Sequence, residues 1–96
     1  MRLLLIEDDQ ILGNAIQTGL NASGNAVDWV EDAESGEHAL RAEEYDALIL
    51  DLTLPGKDGL VLLSEIRQSG NQLPVLILTA RDAIPDRVVT IQLILP

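Results

Sequence analysis

Asp46-Ala47-Leu48-Ile49-Leu50-Asp51 sets four aliphatic residues in a row and ends them on a carboxylate. A run this short, apolar at successive positions, reads as a strand covered on both faces. Two further runs resemble it. Arg2–Ile6 leads into Glu7-Asp8-Asp9, and Pro74–Thr79 ends on a hydroxyl. Ala26–Val30 is a weaker strand of the same kind. Amphipathic stretches separate these runs. Gln10–Ala22 places Leu12, Ile16, Gly19 and Leu20 on one face, with Gly24 as its stop. Asp32 or Ser35 caps a second helix that runs to about Glu44 with Ala39 and Leu40 inward. Pro55-Gly56 and Asp58-Gly59 signal turns, and Leu60–Ser69 carries Leu62, Leu63 and Ile66 at helical spacing.

Strands alternating with helices imply right-handed crossovers and a parallel sheet. The expected architecture is α/β, a doubly wound sheet in three layers. All three strand-end signals then fall on the carboxyl edge, where open α/β sheets bind ligands. Asp51 faces the Glu7-Asp8 pair there, an arrangement suited to a hard cation and a phosphoryl group. Mg²⁺ takes oxygen ligands and is held by one or two carboxylates plus phosphate oxygens. A carboxylate also acts as a nucleophile toward phosphorus, forming an aspartyl phosphate. Asp51 ends a central strand and is the better placed nucleophile; Thr79 is placed to donate its hydroxyl to arriving phosphoryl oxygens.

Other polar residues are read more plainly. Asp9 is a helix cap, Lys57 a solvated loop charge, His38 a surface residue, and Trp29 and Tyr45 core or rim packing. The 96 residues bound the chain to one domain. At 47% apolar residues it can form an aliphatic core. With no Cys, disulfides and thiolate metal sites are excluded. The net charge of −10 repels a phosphate backbone, and the six basic residues are scattered, so direct nucleic-acid binding is not expected. No run approaches membrane-spanning length, and a cytoplasmic location is expected.

Three segments carry a family resemblance: Arg2–Asp9 (RLLLIEDD), Tyr45–Gly59 (YDALILDLTLPGKDG) and Leu73–Asp82 (LPVLILTARD). Together they resemble the receiver domain of bacterial two-component response regulators, particularly the branch usually fused to a winged-helix DNA-binding domain. The resemblance implies a flavodoxin-like fold and a phosphoacceptor role at Asp51, with a sensor histidine kinase as partner and Mg²⁺ as cofactor. It makes Glu7 and Asp8 the acid pair and the Thr53 backbone carbonyl a further metal ligand. Thr79 becomes the switch hydroxyl with Ala80 beside it, while Pro55 and Gly59 shape the loop after Asp51.

The likeness covers residues 1–88, leaving 89–96 as a divergent tail. A complete receiver continues through a fourth helix into a fifth strand, whose end bears a phosphoryl-pairing lysine before a proline; a fifth helix follows. Val89–Pro96 departs from that pattern, and Lys57 cannot align with the missing lysine. The reading therefore expects a missing or altered fifth strand and impaired phosphorylation. A sheet cut after strand four exposes an edge and part of the apolar face of the first helix, favouring a homodimer or swapped self-association. Thr90–Leu95 suits a strand, paired within its own sheet or with another chain, and equally a helix starting near Pro85. About ten residues separate Thr79 from Thr90, near the lower limit for a parallel crossover, so an antiparallel strand fits at least as well.

Two other functions stand beside this one. A non-phosphorylatable fragment acts only as an interaction module, and Asp51 dependence separates it from the first. A Mg²⁺-dependent phosphohydrolase of the haloacid dehalogenase type also uses a strand-end aspartate, but Asp51-Leu52-Thr53 lacks that family's second aspartate.

Overall fold

Five strands form one sheet in the order β2 (Ala26–Val30), β1 (Arg2–Ile6), β3 (Ala47–Asp51), β4 (Val75–Asp82), β5 (Arg87–Ile94). The computed structural model describes residues 1–54, 56–82 and 87–94, and the side chains of 1–54, 56–78 and 93–94. The elements are β1 (Arg2–Ile6), α1 (Gln10–Ala22), β2 (Ala26–Val30), α2 (Ala33–Ala42), β3 (Ala47–Asp51), α3 (Gly59–Gln68), β4 (Val75–Asp82) and β5 (Arg87–Ile94). The first four strands are parallel, as expected from the alternation of strands and helices.

The sheet is covered on both faces because its central strands run apolar through Leu3–Ile6, Ala47–Leu50 and Val75–Leu78. Leu4, Ile6, Leu48, Leu50, Val75 and Ile77 pack with Leu62 and Ile66 of α3 and Ala39 and Leu40 of α2. Leu3, Leu5, Ile49 and Leu78 point the other way, toward Ile16 and Leu20 of α1. Three layers result: α1, the sheet, and α2 with α3. Each helix begins on an aspartate. Asp9 accepts from Ile11 and Leu12, Asp32 from Ser35, and Asp58 from Leu60, so side chains satisfy free N–H groups at all three N-termini. Gly24, at φ +90°, takes the left-handed turn that follows α1.

The fifth strand is altered rather than missing, and it takes the antiparallel alternative: β5 pairs with β4, from Val75 opposite Ile94 to Asp82 opposite Arg87. Aliphatic residues at 88, 89, 91, 93 and 94 favour a strand. A hairpin also needs far less connecting chain than a parallel crossover. The pairing extends β4 to Asp82, beyond the expected Thr79. The exposed edge therefore passes from β4 to β5, which has one neighbour among the described strands. The second helix also stops at Ala42, short of Glu44, with Glu43 already extended (ψ 153°).

The uncovered face of α1 is present as expected. Ala15, Ile16, Gly19 and Leu20 border an open apolar groove of about 330 Å³, with Ile49, Leu76 and Leu78 on the sheet side. No helix among the described residues is long and apolar enough to cross a membrane.

Candidate functional site

The strand register brings the acidic residues together. Ile6 pairs with Leu50, so Glu7 follows at the level of Asp51, which itself pairs with Leu78. Glu7, Asp8 and Asp51 each offer a carboxylate oxygen, and these oxygens lie within 4.8 Å of one another. Two of the three residues are buried: Glu7 is 1% and Asp51 4% exposed. Asp8 is exposed and opens the cluster to solvent.

Burying carboxylates side by side is costly unless they are paired, protonated or bound to a cation. Glu7 shows that cost. Its Oε2 accepts from the Asp9 N–H at 3.2 Å, while its buried Oε1 has no partner among the described residues. Burial first, and then the adjoining Asp51 carboxyl, push Glu7 up to about 8. A divalent cation would satisfy Oε1 and offset the mutual repulsion, so the donor set fits a hard oxygen-seeking ion such as Mg²⁺.

Asp51 is held from its own loop. Its Oδ1 accepts from the Thr53 N–H at 2.9 Å and from the Thr53 hydroxyl at 2.8 Å. The sequence reading assigned Thr53 only a backbone carbonyl. The backbone half of this clamp was legible, because an aspartate in a turn commonly accepts from the N–H two residues on. Gly59 stands directly beneath: a Cβ there would come within 2.9 Å of the Leu52 Cα and 3.2 Å of the Asp51 carbonyl oxygen. Only a residue without a side chain lets α3 start this close to the β3 end.

Trp29 is a second contributor that the sequence reading placed in packing alone. Its indole N–H donates to the Glu7 main-chain carbonyl at 2.9 Å. Lys57 is drawn away from the cluster, to Glu37 at 2.6 Å and to Glu65. Thr79 lies on β4 one residue past Leu78, opposite Thr90 of β5, with Ala80 next to it. Their side chains lie outside the described residues, as does Pro55.

Comparison with known proteins gives a consistent picture. The family model for the response regulator receiver domain matches residues 3–94. The transcriptional regulatory protein QseB of Escherichia coli O157:H7 is 56% identical over 88 residues, covering 92% of this chain. The chain spans 40% of that relative's length. Among solved structures, the receiver domain of Francisella response regulator 1452 superposes with a TM-score of 0.80 at 27% identity, covering 85% of this chain and 68% of that one. Response regulator TrrA from Thermotoga maritima, in complex with Mg²⁺–BeF, superposes with a TM-score of 0.78 at 28% identity, covering 84% and 70%.

Proposed function

The chain belongs to the response regulator receiver family, and from that premise we propose that it accepts a phosphoryl group on Asp51 from a sensor histidine kinase. Receiver domains of this family are phosphoacceptor signalling modules rather than conventional enzymes. One observation carries the assignment to this site: the buried Glu7 Oε1, without a partner among the described residues, beside Asp8 and Asp51 at the carboxyl edge. An Asp51 oxygen attacks phosphorus as the bond from phosphorus to the donor breaks. The donor leaves with that electron pair, and an aspartyl phosphate remains.

Glu7, Asp8, Asp51 and the Thr53 backbone carbonyl hold Mg²⁺ in this reading. When bound, the ion supplies the positive charge that offsets repulsion between carboxylate and phosphoryl oxygens. Thr53 keeps Asp51 in position through its N–H and hydroxyl. Thr79 and Ala80 contact the phosphoryl oxygens, and Pro55 and Gly59 shape the loop. The Mg²⁺–BeF complex of TrrA supports the cofactor and the site, because that protein shares this fold.

Phosphorylation is impaired in this proposal. The chain's single lysine is committed to Glu37 and Glu65, away from the acidic cluster. Loss of one electrostatic contact of this kind costs about 10²–10³-fold in rate. We keep a boundary at residue 88 between the receiver pattern, 1–88, and a divergent tail, 89–96, although β5 runs through it. The likeness to a transcriptional regulatory protein supports a role in transcriptional control in the cytoplasm; direct nucleic-acid contact by residues 1–96 themselves is disfavoured by their charge of −10. Self-association is proposed at the β5 edge, as a homodimer or by strand swapping. Residues 88–94 carry no charge, and over 69–96 Arg81 and Arg87 balance Asp82 and Asp86, so this end escapes the repulsion of the rest.

Intact mass after incubation with MgCl₂ and a small-molecule phosphodonor tests the central claim. One phosphoryl adduct is expected on the parent and none on Asp51→Asn. A folded parent that gains no adduct would favour a fragment acting only as an interaction module.

A further inference from the structure

Trp29 reaches the acidic cluster from behind. Its indole Nε1–H binds the Glu7 carbonyl at 2.9 Å, and the Glu7 N–H binds the Val30 carbonyl at 3.0 Å. Both main-chain groups of Glu7 are thus tied to β2, one of them through a side chain. The ring is wedged against α1 as well: a Cβ on Gly13 would sit 2.2 Å from its Cζ2 and 2.4 Å from its Cε2. That glycine is the one buried residue of α1.

The Glu7 carbonyl belongs to the same planar peptide as the Asp8 N–H. Fixing that plane fixes the direction in which the chain leaves β1 for Asp8, and from there for Asp9, which caps α1. Packing alone does not account for this arrangement. A phenylalanine would keep an aromatic ring against α1, smaller by the fused ring, without holding the peptide plane. It would also leave the Glu7 carbonyl without the indole donor.

We propose that Trp29 is a positioning residue for the acidic site: its indole N–H sets the Glu7–Asp8 peptide so that both carboxylates converge on Asp51 at the spacing a divalent cation requires. This rests on the proposed Mg²⁺ site. The ring itself touches neither the ion nor the phosphoryl group.

Calorimetric titration of MgCl₂ into the parent, Trp29→Phe and Ile16→Val tests it. Ile16 packs α1 on the same sheet face as Trp29, with no polar group to offer the site, and serves as a control for loss of packing. Trp29→Phe is expected to bind Mg²⁺ about three- to tenfold more weakly, the ratio set by one net hydrogen bond. Ile16→Val keeps the parent affinity while its melting temperature falls. Parent-like affinity in Trp29→Phe overturns the inference, as does equal weakening in Ile16→Val. A parent that binds no Mg²⁺ overturns the site itself, and the inference with it.

Should Trp29→Phe not fold, the parent decides. The chain has one tryptophan, hence one indole N–H resonance. That resonance is expected to shift saturably with MgCl₂ at the Kd of the Glu7 and Asp8 amides. An unmoved resonance under saturating MgCl₂ overturns the proposal.

Discussion

Replacing Glu7 by glutamine should make the metal-free protein more stable at alkaline pH while abolishing its response to Mg²⁺. Glu7 is pushed from an ordinary value near 4.5 up to about 8 by burial and by Asp51. Between those values the folded chain keeps a proton that the unfolded chain releases. Unfolding free energy therefore falls as pH rises through that window, by at most about 1.4 kcal/mol per pH unit, and levels off above pH 8. From pH 5.5 to 8.5 the ceiling is about 3 kcal/mol, and roughly half that once water entering beside the exposed Asp8 is allowed for. Against a stability of about 5–15 kcal/mol for a domain this size, that is a large swing. The carboxylates held low by their partners, Asp28 by Tyr45 and Glu37 by Lys57, lose their contribution only under acid conditions, outside this range.

Urea unfolding at half-unit steps from pH 5.5 to 9, with EDTA and again with MgCl₂, measures the effect. In EDTA the parent should lose stability with rising pH while Glu7→Gln stays flat, the two diverging most above pH 8. MgCl₂ should reverse the parent's slope, because the ion binds the ionised cluster; a hundredfold excess over Kd adds about 2.7 kcal/mol. Glu7→Gln should gain little. A parent with flat stability in EDTA, or a variant that tracks it, would refute the reasoning that the Glu7–Asp51 contact carries an unresolved charge.

Three further outcomes are expected. Gly59→Ala must displace backbone at the β3 end, because its Cβ meets the Leu52 Cα at 2.9 Å. It should cost about 1–3 kcal/mol in denaturant unfolding and slow Asp51 phosphorylation; an unperturbed variant would remove Gly59 from the site. Lys57→Ala should leave the phosphoryl yield unchanged, since the lysine is engaged with Glu37 and Glu65. A drop in intact-mass adduct would show that it serves the acidic cluster after all. Thr90→Lys combined with Gln92→Lys should shift light-scattering mass toward monomer by charging the β5 edge. If the parent is monomeric at every concentration, the edge is not an interface.

What the sequence made legible, and what it hid, follows from range. The three-layer fold and the meeting of Glu7, Asp8 and Asp51 were readable because strand ends are local signals and parallel topology aligns them. The direction of β5 was readable only as one of two alternatives, from the short link between Thr79 and Thr90. Thr90–Leu95 satisfies strand and helix patterns alike, and the antiparallel pairing of β5 is decided by β4, a partner the periodicity of the segment does not name. The roles of Trp29 and Gly13 were hidden for a related reason. Each looks ordinary within its own element, an aromatic residue in a strand and a glycine in a helix. Only when α1 folds over the β1–β2 edge does the glycine make room for the ring and the ring reach the Glu7 carbonyl. The acidic residues advertise themselves because their chemistry is in their side chains. The residues that aim them act through space and shape, and they become visible only when three elements are in place at once.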